Sequence, residues 1–328
     1  METVHYSRCR MMPTPSSLAY RLGLLDDLPC AFPDAPVKLE FGDYDHGQDR
    51  LWVRHASNAK SIWARSRGAD THPVLFSSCE NFWPLLARAD SPVRNAAQLR
   101  GRRVAMPRVK GRLFDVEYQL YLKAVANALA GSGLKLTDVE LVDIEFERPK
   151  LCDAAPEARN FFEVAADVQL EHLLRGEVDA IATVISPDLR ERDDLRVIYD
   201  SRDDPSSWAR GELRMLNASG ALVREHREVL VAIVARLLQA QDWAGSHAAQ
   251  VAPLIATDLQ MDLPSLQAHE IDFGNWSHVD CSSEQVALMK ARKDYLLSVG
   301  SIENDFDVDA WIDTSIIASA REMLGKGL

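Results

Sequence analysis

The chain has 328 residues, of which 47% are hydrophobic, so it can build one large domain or two compact lobes. Its formal net charge of -12 argues against nucleic acid and anionic membranes as partners, but it does not argue against a local basic pocket. The sequence contains no run of the roughly 18 apolar residues that a membrane span needs. Its N-terminus also lacks the features of a secretory signal, so we expect a soluble, cytoplasmic monomer or weak dimer.

The five cysteines are widely scattered and include no CxxC pair. This pattern argues against a zinc ribbon, a thioredoxin-type motif and a disulfide framework. His46 follows Asp43 and Asp45, a combination that suggests a metal ligand, but no second cluster supports it. We therefore predict that the protein uses neither a metal nor an organic cofactor.

The first predicted element is a short strand at residues 4–9 that ends on Cys9. A helix is predicted over residues 16–24 and a strand over residues 37–41. A thiol at the point where a strand gives way to a helix can be polarised by the helix N-terminus. Cys9 is therefore a candidate nucleophile or acid.

Strand-like and helix-like runs then alternate up to residue 224, after which the pattern is almost entirely helical. Pro84 interrupts the run at 82–88, which favours an edge strand or a crossover there. The other predicted elements are strands at 71–77, 139–144, 178–184, 195–199 and 217–223, helices at 114–130 and 161–174, and a short helix feeding a strand over 97–106. This alternation predicts an α/β fold with mainly parallel sheets.

The order of these elements predicts two lobes. Residues 1–95 and 206–328 would form the first lobe with the C-terminal helices, and residues 96–205 would form the second. Ligands in such folds bind beyond the carboxyl ends of the strands, near the cleft. Cys9 would lie at that position.

Two segments resemble the periplasmic-binding-protein-like family, which includes sulfonate and nitrate receptors and the thiamine-pyrimidine synthases. Residues 99–105 (LRGRRVA) resemble the entry to that family's second lobe, and residues 175–180 (RGEVDA) resemble its helix-to-strand turn. The resemblance implies a two-lobed α/β fold with a ligand cleft between the lobes and a helical C-terminal part.

A closer resemblance, over nearly the full length, is to the 2'-hydroxybiphenyl-2-sulfinate desulfinases of that family. It is carried by the run YSRC at residues 6–9, by a His and a later Arg, here His55 and Arg65, and by Gly68. The resemblance implies that Cys9, His55 and Arg65 form a catalytic set acting on a small anionic aromatic substrate.

The residue types suit that chemistry. Arg65, or its neighbour Arg67, would hold a sulfinate head through two parallel hydrogen bonds. Cys9 would either give its proton to the ring carbon or attack sulfur as a thiolate, and the sequence leaves both routes open.

Three further contributions are predicted around the thiol. His55 would hydrogen-bond Cys9 or the oxyanion and set its protonation. Ser7 points to the same face of the strand as Cys9 and would donate to the sulfinate, as would the backbone N–H of Gly68.

The leading hypothesis is a cofactor-independent hydrolase that cleaves the C–S bond of an aromatic sulfinate and releases sulfite. The alternative is a non-catalytic solute-binding protein for a sulfonate, nitrate or small aromatic acid. A third hypothesis, decarboxylation of an aryl carboxylate, shares the protonation of a ring carbon as an anionic head departs.

Overall fold

The computed structural model describes residues 2–9, 12–32, 51–78, 83–147, 161–183, 189, 192–204, 213–259, 261, 263–267, 273–276 and 278–325. The strands are β1 (Val4–Arg8), β2 (Cys30–Ala31), β3 (Trp52–Ser57), β4 (Thr71–Ser78), β5 (Leu85–Arg88), β6 (Arg103–Val109), β7 (Glu140–Phe146), β8 (Ile181–Ala182), β9 (Leu195–Tyr199), β10 (Leu213–Ser219) and β11 (Val279–Asp280). The helices are α1 (Pro15–Arg21), α2 (Asn58–Ser66), α3 (Val116–Ala130), α4 (Phe161–Leu174), α5 (Gly220–Glu225), α6 (Arg227–Ser246), α7 (Ala248–Leu259), α8 (Leu263–Gln267), α9 (Phe273–Trp276), α10 (Ser283–Ser298), α11 (Val308–Trp311) and α12 (Thr314–Gly325).

The chain forms two compact units. Unit 1 contains Met1–Cys79, Leu213–Leu263 and Ile271–Leu328, whereas unit 2 contains Glu80–Glu212 and Pro264–Glu270. The first change of unit thus precedes the predicted boundary at residue 95, because β5 pairs with β8 and β9 inside unit 2. In unit 2, β6 and β7 pair in parallel, and α4 packs on them through a cluster of buried aliphatic side chains.

Unit 1 is built on a six-stranded sheet with the order β11-β4-β10-β3-β1-β2. β1 pairs in parallel with β2 and β3, but β10 runs antiparallel between β3 and β4. The prediction of mainly parallel sheets is therefore wrong for this sheet, and β5 also pairs antiparallel with both of its neighbours. The reason in unit 1 is topological, since the chain returns from unit 2 and inserts β10 against the direction of its neighbours.

The connections in this sheet change direction between β1 and β3. From β1 the chain passes through α1 to β2 on one side, and from β3 it passes through α2 towards β4 on the other. Because such crossovers between parallel strands are almost always right-handed, α1 and α2 cover opposite faces of the sheet. Ligands of open α/β sheets bind outside the carboxyl ends of the strands at such a switch point.

Several predicted elements are confirmed within the described residues, among them β1, α3 and α4. The strand predicted at 217–223 is wrong in its second half, because the Ser219 hydroxyl accepts the N–H of Leu222 and starts α5 at Gly220. The sequence pattern did not predict β3 and α2. The predicted strand at 37–41 lies outside the described residues. Among the helices of the described ranges, none is both long and apolar enough to cross a bilayer.

Candidate functional site

The carboxyl ends of β1 and β3 meet at the switch point. Cys9 directly follows β1, and its backbone N–H donates to the carbonyl oxygen of His55 at 2.9 Å, which extends the β1–β3 ladder by one residue. The Cys9 thiol is free and half-buried. Thr14 precedes α1, and Ser57 ends β3 and precedes α2. The thiol therefore lies where two helices begin.

Three hydroxyl groups at this edge, those of Thr14, Ser17 and Ser57, are buried without a hydrogen-bond partner among the described residues. Ser57, the most exposed of them, is 8% exposed. Thr14 and Ser57 are the N-cap residues of α1 and α2, yet neither hydroxyl caps its own helix. Because buried polar atoms are normally satisfied, these three unpartnered hydroxyls indicate a place for an external polar group.

The start of α2 favours a negatively charged group. This helix has nine residues and no acidic side chain in its first turn, so its positive end is not compensated locally. The amide of Asn58 fixes this end in place, because it donates to the carbonyl of Leu213 at 2.8 Å and accepts from Arg292 Nε at 3.4 Å. Helix N-termini of this kind bind anions through their free N–H groups.

The strand register places a second polar residue, Arg54, on the same face of the sheet as Cys9. Ser7 is paired with Arg54 in the parallel register of β1 and β3, so the two side chains share a face. Alternation along β1 places Cys9 on that face as well. Arg54 was missed by sequence reasoning, because only the strand register shows that it lies beside Ser7. The structure thus brings together Ser7, Cys9 and Arg54.

His55 lies on the opposite face of β3 from Arg54, so its ring does not reach the thiol. Its Nδ1 is 2.7 Å from the Ser16 hydroxyl and its Nε2 is 3.0 Å from the Ser77 hydroxyl. The Ser16 oxygen is in turn 2.6 Å from the hydroxyl of Tyr6. We call this set, Tyr6, Ser16, His55 and Ser77, the buried polar chain.

The electrostatics of His55 follow from its burial. The side chain is 0% exposed, and desolvation together with the nearby charge of Arg214 lowers the pKa of His55 to about 3. Arg214 is itself buried in β10, where it pairs in register with Ser57 and Ser77. His55 is consequently neutral at physiological pH.

The other two predicted residues lie at the far end of α2. Arg65 is in its last turn, and its Nη1 donates to the carbonyl of Ala69 at 3.3 Å. Gly68 follows the helix with φ +87°, and its N–H donates to the carbonyl of Arg65. A nine-residue helix is about 13 Å long, so these groups terminate α2 well away from the edge where it begins. The substitute Arg67 lies at the same end, with its guanidinium 5.2 Å from the Trp63 ring.

A buried ion cluster secures the strand that carries Cys9. Arg8 donates from Nη2 to Asp258 in α7 at 2.8 Å, and Arg21 in α1 donates to the same carboxylate at 3.2 Å. The Arg8 guanidinium also lies 3.7 Å from the centre of the Tyr20 ring. Asp258 is 0% exposed and therefore joins β1, α1 and α7 through two cations.

Within the described ranges, no group of three or more His, Cys, Asp or Glu side chains could hold a metal ion. The segment around His46 lies outside those ranges.

No protein-family model and no curated protein matches the chain. Solved structures do match it. The desulfurization enzyme DszB superposes with a TM-score of 0.76 at 19% identity, covering 99% of this chain and 100% of that one. A cysteine-to-serine variant of DszB in complex with biphenyl-2-sulfinic acid gives a TM-score of 0.77 at 20% identity, with coverages of 98% and 99%.

A binding protein also shares the fold. The periplasmic aliphatic sulphonate binding protein SsuA from Escherichia coli gives a TM-score of 0.61 at 19% identity, covering 97% of this chain and 99% of that one. These likenesses confirm the predicted periplasmic-binding-protein-like α/β fold. Since the neighbours include both an enzyme and a binding protein, function has to be argued from the site.

Proposed function

We propose that the protein binds a small organosulfur oxyanion at the switch point of unit 1 and hydrolyses its C–S bond with Cys9. The observation that carries the proposal is a half-buried thiol at the carboxyl edge of β1 and β3, the edge at which three buried hydroxyls have no partner in the described structure. A sulfinate head offers two acceptor oxygens and one negative charge. It therefore suits hydroxyl donors, the uncompensated N-terminus of α2 and the Arg54 guanidinium.

The reaction is balanced by one water molecule, with an aryl sulfinate giving the arene and sulfite. In one route the thiol gives its proton to the ring carbon, the C–S electron pair moves to that carbon, and water adds to the departing sulfur dioxide. In the other route the thiolate forms a bond to sulfur as the C–S bond breaks. Water then protonates the carbon and cleaves the S–S bond.

Support from the comparisons is of two kinds. A structural neighbour over nearly the whole chain is a DszB variant in complex with biphenyl-2-sulfinic acid, in which a cysteine is replaced by serine. The sulfonate-binding neighbours favour the second candidate, a binding protein for a sulfonate or related acid without turnover. For both candidate functions the ligand is an organosulfur oxyanion. The two differ in whether Cys9 takes part in a reaction.

The deciding experiment measures sulfite release from biphenyl-2-sulfinate by the wild type and by Cys9→Ser, with ligand binding followed by calorimetry. We expect sulfite from the wild type alone and binding by both proteins. Binding without sulfite from the wild type would replace the hydrolase with the binding protein. Turnover by a folded Cys9→Ser variant would remove Cys9 from the mechanism.

The arginine that binds the anion is tested in the same assay. We expect Arg54→Ala to weaken ligand binding at least about tenfold, because a charge-assisted hydrogen bond is lost. Arg65→Ala is the matched control, since Arg65 bonds to the end of its own helix. Loss of binding in the Arg65 variant with retention in the Arg54 variant would restore the assignment made from the sequence.

A further inference from the structure

We infer that the buried polar chain has one fixed direction of hydrogen bonding, and that His55 within it is a positioning residue that holds the first turn of α1 against β3 and β4. The inference deepens the proposed function, since the first turn of α1 carries two of the three unpartnered hydroxyls. It replaces the role that the sequence predicts for His55, which is a hydrogen bond to Cys9 or to the oxyanion that sets its protonation.

The neutral His55 ring is bonded through both of its nitrogens. A neutral imidazole has one donor nitrogen and one acceptor nitrogen, and both nitrogens of His55 are within 3.0 Å of a serine hydroxyl. Each serine hydroxyl carries a single proton. The chain can therefore run in either of two directions, and each direction fixes the tautomer of His55.

The Tyr6 hydroxyl determines the direction of hydrogen bonding along the buried polar chain. The Tyr6 hydroxyl is buried and contacts Ser16 at 2.6 Å, and no other hydrogen bond to it exists among the described residues. A phenol is a stronger proton donor and a weaker acceptor than an aliphatic hydroxyl. Tyr6 therefore donates to Ser16, Ser16 donates to His55 Nδ1, and the His55 Nε2–H donates to Ser77.

The buried polar chain joins four elements of unit 1. Its members lie on β1, α1, β3 and β4, three strands and one helix of unit 1. Ser16 stands between Thr14 and Ser17 in sequence, so its bond to His55 fixes the turn that places their hydroxyls at the edge. Loss of the Ser16 bond would release this turn, whereas loss of the Ser77 bond would leave it in place.

The first test is the tautomer of His55, measured on the full chain by nitrogen NMR after selective histidine labelling, with His55→Asn used to assign the signal. We expect an unprotonated Nδ1 and a protonated Nε2 that do not change over roughly pH 5 to 8. An Nδ1–H tautomer, or titration in that range, would overturn the inference. This readout does not depend on any catalytic activity.

The second test separates the two bonds of the ring. Asn at position 55 keeps an acceptor close to the Nδ1 position, Gln keeps a donor close to the Nε2 position, and Leu keeps neither. The readouts are the alkylation rate of Cys9, followed by peptide mass spectrometry, and the affinity for biphenyl-2-sulfinate. We expect His55→Asn to remain near wild type, while His55→Gln and His55→Leu change both readouts by about fivefold or more.

His72→Asn is the matched control, because His72 also bonds through Nδ1, to the Trp311 carbonyl at 3.1 Å, but lies near the start of β4. It should leave the Cys9 alkylation rate unchanged. If His55→Leu does not fold, the contrast between Asn and Gln gives the same information. Equal effects of Asn and Gln would overturn the inference, and only the affinity readout rests on the proposed function.

Discussion

On the α1 face of the β1–β3 pair, the hydroxyls and imidazole of the buried polar chain bond to one another. At the carboxyl edge of the same two strands, the three unpartnered hydroxyls have no acceptor or donor within the described structure. Both regions are buried and polar. The hydrogen-bonding groups of the buried polar chain have partners, whereas the three hydroxyls at the edge have none among the described residues. A satisfied cluster fixes structure, whereas an unsatisfied one has capacity for a ligand. Mutations in the two regions should therefore affect different properties.

The largest effect is expected at the buried ion cluster of Arg8, Arg21 and Asp258, whose charges are paired with one another just as the groups of the buried polar chain are. Asp258→Ala would leave the Arg8 guanidinium, 7% exposed, without its carboxylate, and should lower the free energy of unfolding by about 3–5 kcal/mol. Urea unfolding measures this change. The control is Asp309→Ala, which breaks an exposed pair with Lys290 and should cost less than about 1 kcal/mol. Similar costs for the two variants would show that the buried cluster is not a structural tether.

The stability of the folded protein should depend on pH through His55. Burial lowers the pKa of His55 from 6.5 to about 3, so between these values the unfolded chain binds a proton that the folded chain does not. Wild-type stability should therefore rise with pH in this window, and the His55 contribution should grow by about 1.5–2 kcal/mol from pH 5 to pH 6.5. His55→Asn should lack this part of the slope in urea unfolding at both pH values. Parallel pH profiles for the two proteins would contradict a neutral, buried imidazole.

At the unsatisfied edge, stability and binding should separate. Ser57→Ala removes a hydroxyl that caps nothing, so the free energy of unfolding should change by less than about 0.5 kcal/mol. Its affinity for biphenyl-2-sulfinate should fall about tenfold, because one donor to the oxyanion is lost.

The matched control for Ser57 is another N-cap serine, Ser282 in front of α10, whose hydroxyl accepts the N–H of Gln285. Ser282→Ala should cost about 1 kcal/mol of stability and leave the affinity unchanged. The opposite pattern in the two variants would assign Ser57 to the structure and not to the ligand.

The smallest effect is expected at the far end of α2. Gly68 adopts φ +87° with open space around it, so Gly68→Ala should cost about 1 kcal/mol through backbone strain alone, with no change in ligand affinity. Gly245, which is helical and also has open space, provides the control, because Gly245→Ala should stabilise by about 0.5–1 kcal/mol. Weaker binding of the ligand by the Gly68 variant would instead indicate that the Gly68 N–H contacts the ligand, as the sequence predicts.

Some of these features could be predicted from the sequence because they are local. The strand β1, which Cys9 follows, is visible in its alternation of apolar and polar residues, and α3 is visible in its length and in Asp115 before its first turn. The spacing of His55 and Arg65 does not bring the two side chains together in the structure, for a physical reason. The strand β3 ends at Ser57, and the following residues form α2. Arg65 therefore lies in the last turn of that helix, away from the edge where the helix begins.

Other features depend on residues that are distant in the chain. The face shared by Ser7 and Arg54 follows from the register of β1 and β3, which no single segment encodes. The bond from His55 to Ser77 crosses β10, a strand that follows nearly all of unit 2 in the sequence. The sequence thus shows which side chains are chemically reactive or polar, but it does not show which distant residues contact them.

The position of β10 has a consequence for how the protein is made. β3 and β4 leave the ribosome early, yet the strand that joins them, Leu213–Ser219, emerges only after nearly all of unit 2. Until then the nascent chain carries two strands with open edges, which are templates for intermolecular pairing. Unit 2 can fold during this interval, because its strands pair among themselves. The carboxyl edge of β1 and β3, where Cys9 lies, is thereby completed only at a late stage of synthesis, when β10 pairs with β3 and β4.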